Sequence, residues 1–286
     1  MGYTLLAMIA YTHSGASHMD DFLGALTACL KGYEVRRVPK LPDTLGENDI
    51  AFDIGGMWDD ERYFDHHQDP SLPCSAALLW QRWSGAGDLY DALANAPALD
   101  DLNDADTRVG IAGLPEDRRP DRVKLRALLE AEAELLKDPH LCLVVLQLFA
   151  ASSNLRAWVD ACYHDTELQH VLQPSLQRVL QAEREEQAVI DSIAVREVGD
   201  LRIGVSRQPL GRTVQRAFET LGVDVLIAPN EREPDKVSVV RDSQGRYGEL
   251  PVSELLPALA QRATFVHQTG FMMVAALSID EALRLI

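Results

Sequence analysis

No stretch of this chain approaches the run of about eighteen apolar residues that a membrane-crossing helix needs, so a helical span is excluded. There is no C-x-x-C pair either. The four cysteines, Cys29, Cys74, Cys142 and Cys162, are widely separated, which excludes a zinc knuckle or a disulfide framework. Cys29, Cys142 and Cys162 fall in apolar, helix-like stretches, where a free thiol behaves as a small buried hydrophobe. A reduced, cytoplasmic setting is the expectation. A Gly-x-x-x-x-Gly-Lys-Ser/Thr loop is missing, which speaks against an NTPase. Nor is there a Gly-x-Ser-x-Gly elbow to indicate a serine hydrolase. Basic residues are scarce: 27 Lys and Arg face 44 Asp and Glu, for a net charge of −17. An extended footprint on duplex DNA needs a basic face and is not expected. Residues 195–286 carry 11 Lys and Arg against 12 Asp and Glu, so nearly all of the acidic excess lies upstream. The upstream part is suited to concentrating cations; a polyanion would be gripped by the near-neutral part.

With 286 residues, 47% of them hydrophobic, the chain has material for two domains. The apolar segment Leu5–Ala10 lacks the basic flank of a signal peptide and runs straight into a histidine cluster. It belongs to a first strand, Tyr3–Thr12. A Ser14–Ser17 loop follows, then a helix with Phe22, Leu26 and Leu30 at i, i+4, i+8 that stops at Gly32. Glu34–Val38 and Ile50–Ile54 read as strands, the latter ended by Gly55-Gly56. Strand, helix, strand, loop, strand is the pattern of a parallel α/β sheet. From residue 74 to about 193 the pattern is helical, over 74–83, 88–102, 120–137, 141–150, 154–163 and 176–193. Beyond it Gly199-Asp200 signals a hairpin. Strands over 223–228, 237–241 and 264–267 then alternate with helices over 210–221 and 255–263. The expected organisation is a parallel-sheet domain with a helical middle region over 1–192, followed by a smaller α/β domain over 193–286.

The polar residues sit where strands end. His13 closes the first strand, Asp53 the third, and Tyr63-Phe64-Asp65-His66-His67-Gln68 follows a short apolar approach, while His18, Asp20 and Asp21 open the first helix. Each residue alone has an ordinary reading: a polar loop histidine, helix N-terminal acids, a turn-forming aspartate. Together they deliver imidazoles and carboxylates to the C-terminal edge of one sheet, where open α/β sheets bind ligands. Such a mixed set suits Mn²⁺, Fe²⁺, Co²⁺ or Zn²⁺. It exceeds the need of one ion and matches two that share a carboxylate. Asp53, alone on the central strand, is the natural bridge. Two ions about 3.5–4 Å apart clamp the attacking and leaving oxygens of an in-line displacement at phosphorus.

Three segments, Thr12-His13-x-Gly15-x-x-His18-x-Asp20-Asp21, Asp53-Ile54-Gly55-Gly56 and Tyr63-x-Asp65-His66-His67-Gln68, resemble the DHH phosphoesterase superfamily. More narrowly, they resemble its Myg-type (melanocyte-proliferating-gene) nuclease branch. The resemblance continues in Ser75-Ala76-Ala77-Leu78, in Leu89-Tyr90-Asp91 and in Phe265-Val266-His267-x-x-Gly270-Phe271. It implies a DHH-like α/β fold and a metal-dependent phosphohydrolase, a 3′–5′ exonuclease acting on RNA or short nucleotides. Two Mn²⁺ ions are the implied cofactor, with Mg²⁺, Co²⁺ and Zn²⁺ as alternatives. His13, His18, Asp20, Asp53 and His66 are then metal ligands, and a downstream aspartate, Asp106 with Asp104 in reserve, completes the set. His67 would touch the scissile phosphate, with Asp65 and Asp21 beside it. His267, Gly270 and Arg232 would contact substrate. The sequence departs from its relatives at Asp21 (usually Glu), at Asp106-Thr107-Arg108 (usually Asp-Asn-Gly) and at Met272-Met273 (usually glycines). A small-phosphate hydrolase or pyrophosphatase, and a metal-binding regulator without catalysis, are the competing readings.

Overall fold

The computed structural model describes residues 8–286 except 16, 70, 86 and 87, so the Tyr3–Ala7 part of the expected first strand lies outside the described residues. The first unit extends to Leu180. Its sheet has four parallel strands: β1 (Ile9–His13), β2 (Glu34–Val38), β3 (Ile50–Phe52) and β4 (Tyr63–Phe64), in the order β2-β1-β3-β4. Helix α1 (Met19–Leu30) connects β1 to β2, as a parallel crossover requires. Its Phe22, Leu23 and Leu26 are fully buried, and Gly32, at φ 83°, ends the turn beyond it.

Helices α2 (Ser75–Trp83), α3 (Asp88–Ala94), α4 (Ala98–Thr107), α5 (Gly110–Gly113), α6 (Arg122–Glu130), α7 (Glu132–Leu135), α8 (Pro139–Ala151), α9 (Leu155–His164) and α10 (Gln169–Asp191) follow. The expected 88–102 helix is two helices, because Pro97 cannot continue the first and sits at the N-cap of the second. The sheet packs on α1 and α2 through Ala10, Ile50, Phe52, Phe64, Ala25, Leu78 and Leu79. Behind these helices a second layer is centred on an aromatic chain. Trp80 lies 5.3 Å from Phe149, and Phe149 5.3 Å from Trp158. The Trp80 indole N–H donates to Thr27 Oγ1 at 3.0 Å, and Thr27 donates to Leu23 O at 2.7 Å, so these buried polar groups are paired.

Gln181–Ile286 form the second unit. The division falls inside α10, upstream of the expected 192/193, because Val189, Ile190 and Ile193 at the end of this segment pack with Leu210, Phe218 and Leu226. Its strands are β5 (Ala194–Val198), β6 (Leu201–Val205), β7 (Val225–Pro229), β8 (Val237–Arg241), β9 (Ala263–Val266) and β10 (Met272–Ala275), in the order β5-β6-β7-β8-β10-β9. Only β6–β7 is a parallel pair; the other four are antiparallel. Helices α11 (Val214–Leu221), α12 (Val252–Leu255), α13 (Pro257–Ala260) and α14 (Ile279–Leu285) complete it. Strand β10 and α14 were not foreseen. Met272-Met273, noted above as a departure from the glycines of relatives, lies in a strand, where Met273 is a fully buried core residue paired with Val239 and Val266.

In the first unit α1 approaches β3 so closely that a Cβ on Gly24 would stand 2.8 Å from the buried Phe52 ring. Gly24→Ala therefore overpacks this contact and is expected to destabilise the first unit by about 1–3 kcal/mol. Urea denaturation followed by the emission of buried Trp80 and Trp158 reads the change; an unaltered midpoint would show that the Phe52 ring yields freely.

Candidate metal centre

Helix α1 begins at the C-terminal end of β1, and its first turn buries Asp20 and Asp21 completely. The helix dipole offsets part of the cost of two adjacent buried carboxylates. His18 is the N-cap residue but makes no side-chain cap, so its imidazole is left for other partners. One residue past β3, Asp53 is 3% exposed and adopts φ 53°. That left-handed conformation is costly for a side-chain-bearing residue and is typical of positions held by function. Just past β4 stand Asp65, His66 and His67. Helix α4 contributes Asp106. Asp104, two residues earlier and therefore about 200° around the helix, instead pairs with Arg108 at 2.9 Å.

The hydrogen bonds fix how the imidazoles face. His13 Nδ1 lies 3.3 Å from Ser14 O, a carbonyl that can only accept. Its Nε2 faces Asp21 Oδ2 at 2.9 Å and Asp53 Oδ2 at 3.1 Å. His66 repeats the arrangement. Ser75 Oγ donates to Asp53 Oδ1 at 3.4 Å and lies 3.1 Å from His66 Nδ1, which is left to donate. The Nε2 lone pair of His66 faces Asp106 Oδ2 at 3.2 Å. Both Asp20 oxygens, Asp21 Oδ1 and Asp106 Oδ2 are buried without a hydrogen-bond partner.

Imidazole nitrogens that face carboxylate oxygens at these distances, beside unpartnered buried oxygens, fit divalent cations. Ligand atoms of His13, His18 and Asp53 lie within 4.8 Å of one another, as do those of Asp20, His66 and Asp106 and those of Asp53, Asp65, His66 and His67. Asp53 and His66 each belong to two of these groups.

His67 is placed differently. Its side chain is 63% exposed, and its Nδ1 lies 2.6 Å from Asp65 Oδ1. Asp65 also accepts from His67 N at 3.0 Å and Gly56 N at 2.7 Å. Burial would raise the Asp65 pKa, but these bonds outweigh it and lower it, keeping the carboxylate charged. Burial likewise opposes the His67 imidazolium, and the Asp65 hydrogen bond with the charges of Asp53, Asp65 and Asp106 overcomes it, raising its pKa. His66, more buried, is lowered and stays neutral. Burial, reinforced by Asp21, pushes Asp53 up to about 7. Asp20 rises well above the ordinary range through burial and its neighbours Asp53, Asp106 and Asp21, and burial raises Asp106 as well.

Two residues with no motif to mark them complete the site. Arg37, at the end of β2, donates through Nη1 to Asp21 Oδ2 at 2.7 Å and to His13 O at 3.1 Å. Its Nε and Nη2 donate to Glu132 of α7 at 2.8 and 2.5 Å, and Ser17 Oγ donates to the same carboxylate at 2.9 Å. Asp21 is thus tied to a guanidinium rather than left free as a base.

The remaining expected residues lie in the second unit. Arg232 is exposed beside a cavity of about 560 Å³. His267 is half-buried, with Nδ1 2.9 Å from Thr269 Oγ1 and its ring 4.5 Å from Phe271. Gly270 is buried at φ 69°, and a Cβ there would stand 2.9 Å from Pro251, which is reason enough for glycine.

Residues 9–95 match the model of the MYG1_exonuc family, described as an uncharacterised protein family (UPF0160). A MYG1 protein of Schizosaccharomyces pombe is 33% identical over 89 residues, which are 28% of this chain and 25% of that protein. The match thus spans a quarter of the curated relative's length. Among solved structures, the pGpG-specific phosphodiesterase PggH of Vibrio cholerae superimposes with a TM-score of 0.51 and 12% identity, over 97% of this chain and 96% of that one. The likeness of fold covers both units, whereas the likeness of sequence is confined to the segment carrying His13, His18, Asp20, Asp53 and the Asp65–Gln68 run. That segment is similar to the MYG1_exonuc family, and the α/β architecture is similar to that of the phosphodiesterase.

Proposed function

We propose that this protein is a divalent-metal-dependent phosphohydrolase that cleaves phosphodiester bonds of RNA ends or short nucleotides, as a 3′–5′ exonuclease does. Mn²⁺ is the metal we assign, and the cytoplasm the location. The carrying observation is that His13 Nε2 faces Asp21 and Asp53 and His66 Nε2 faces Asp106, beside buried carboxylate oxygens without a hydrogen-bond partner. His13, His18 and Asp53 would hold one ion; Asp20, His66 and Asp106 would hold the other, with Asp53 shared. Ions so placed would activate a water and neutralise charge on the phosphate. Asp65 accepts from His67 Nδ1–H, and the raised pKa of His67 favours the protonated ring, in which Nε2–H would donate to a phosphate oxygen or to the departing oxygen. Arg37 and Asp21 keep His13 in place. His267, Gly270 and Arg232 of the second unit are our candidates for substrate contact. A short nucleotide substrate is supported by the acidic first unit and by the kind of substrate named for the solved neighbour.

Asp53→Ala is expected to lose most bound metal and essentially all Mn²⁺-dependent hydrolysis of an aryl phosphodiester, while circular dichroism shows the fold intact. A variant that still carries two ions per chain would make Asp53 a turn residue and sink the proposal.

The adjacent histidines should separate. His66→Ala weakens metal binding, whereas His67→Ala retains metal and lowers kcat by about 10²–10³, the usual scale for losing a transition-state donor. Calorimetric metal titrations that fall equally for both variants would remove the distinction.

The metal-free protein should show the cost of crowding these acids. Asp53 is raised from 3.8 to about 7, so between these values the folded protein holds a proton that the unfolded chain has released. Stability contributed by Asp53 is then full below about pH 4 and lost as pH rises through about 7. Asp20 and Asp106 add to this slope and His66 subtracts from it, so the comparison with Asp53→Asn isolates one group. Thermal midpoints measured in chelator should fall less steeply with pH in Asp53→Asn than in the wild type; equal slopes would refute the shift.

A further inference from the structure

Beside the metal centre the first unit presents an aromatic platform to which no role has been given. Trp58 and Met57 are each 46% exposed, on adjacent residues. With Tyr63 and Leu72 they line a hollow of about 490 Å³, and Gly56 lines both this hollow and the one bounded by His13, His18, Asp53 and His67. Single exposed apolar residues are common on protein surfaces. An exposed indole and thioether side by side, continuous with a polar site, are not explained that way.

The platform is also rigid. Asp59 Oδ1 accepts the backbone N–H groups of Glu61, Arg62 and Tyr63 at 2.9, 2.8 and 3.0 Å. Asp59 N donates to Tyr63 O at 3.1 Å, Trp58 is bridged to Phe64, and Asp65 N donates to Met57 O at 3.1 Å. The lobe over 56–65 is therefore anchored to the same Asp65 that orients His67. An aromatic surface held this way loses little entropy when a flat ligand settles on it.

The chemistry of the rim selects the ligand. Among the described residues, the charged side chains lining the hollow are Asp59 and Asp69, and no basic group lines it. Arg62, the nearest cation in sequence, donates to Asp49 O at 3.2 Å and to Gly46 O. A second phosphate would be repelled here. An uncharged planar ring with N–H donors would not: it stacks on the indole and meets carboxylate and Gln68 acceptors at its edge. We propose that Trp58, with Met57 and Tyr63, is the stacking platform for the nucleobase joined to the phosphate at the metal centre. This rests on the phosphohydrolase reading and narrows it to nucleotides whose base lies on the Trp58 side, with no further phosphate in that direction.

The test uses the full chain in saturating Mg²⁺ and two probes that share a phosphate, AMP and ribose 5-phosphate. Trp80 and Trp158 are fully buried and Trp83 is half-buried, and the difference in emission between wild type and Trp58→Phe removes the contribution of all three and reports the exposed indole. AMP should quench that emission and ribose 5-phosphate should not. By calorimetry, Trp58→Ala should weaken AMP about 10- to 100-fold, the scale of one base stacked on an aromatic ring. Trp58→Tyr should restore most of the affinity, and ribose 5-phosphate should bind all three proteins alike. Equal binding of AMP and ribose 5-phosphate to the wild type, or equal losses of both in Trp58→Ala, would overturn the platform while leaving the phosphate site standing. A wild-type protein that binds neither a divalent ion nor either phosphate would overturn the underlying reading and the platform with it.

Discussion

Everything in the first unit is arranged around the mutual repulsion of carboxylates removed from water. Asp20, Asp21, Asp53 and Asp65 are buried, and Asp106 lies against His66. Burying one unpaired charge is already costly, and a group of them in a low-dielectric setting is unfavourable unless positive charge is supplied. The chain supplies some itself. Arg37 reaches Asp21, the His67 imidazole, its pKa raised, reaches Asp65, and the N-terminus of α1 faces Asp20 and Asp21. None of these reaches both oxygens of Asp20, and the remaining deficit is one that a divalent cation could offset.

The scaffold makes that deficit tolerable by stiffness. The three strand ends that carry His13, Asp53 and Asp65 are neighbours in one parallel ladder, and α1 is pressed onto β3 with no room for a side chain at Gly24. Carboxylates on flexible loops would separate and hydrate. Here the sheet register and the packing of Phe52 and Trp80 prevent it, so burial first, and repulsion after it, raises the pKa values of Asp20 and Asp53. The Arg37–Glu132 pair extends the bracing. It ties the end of β2 to α7, and through Ser17 and His13 O to the loop that leads into α1. A guanidinium suits this task because its fork engages one carboxylate twice while a third N–H holds another.

How much was legible in the sequence follows from range. His13, Asp53 and the Asp65–His67 run could be placed because strand ends are marked locally, by glycines and by changes of periodicity. The choice of Asp106 over Asp104 depended on the family pattern, and helix α4 supplies the physical reason, since residues two apart face opposite ways. Arg37 and Glu132 were missed because they lie 95 positions apart and no spacing rule joins them. Strand β10 was missed because Met272–Ala275 is four residues long and its Met-Met start was compared with a glycine motif rather than read for β propensity. Pro97 was a visible break that a continuous apolar pattern across 88–102 concealed.

The two units also differ in how far sequence and fold travel together. The likeness of fold to the phosphodiesterase covers nearly the whole chain at 12% identity, while the family likeness stops at residue 95. A cluster of coordinating side chains tolerates little change, because ligand type and position are set by the ion. A sheet such as β5–β10 needs only apolar residues of suitable volume on its inner faces, and many sequences satisfy that. The segment where sequence is retained is therefore the one constrained by chemistry. The second unit is constrained mainly by packing, and Met273, fully buried between Val239 and Val266, is part of that packing.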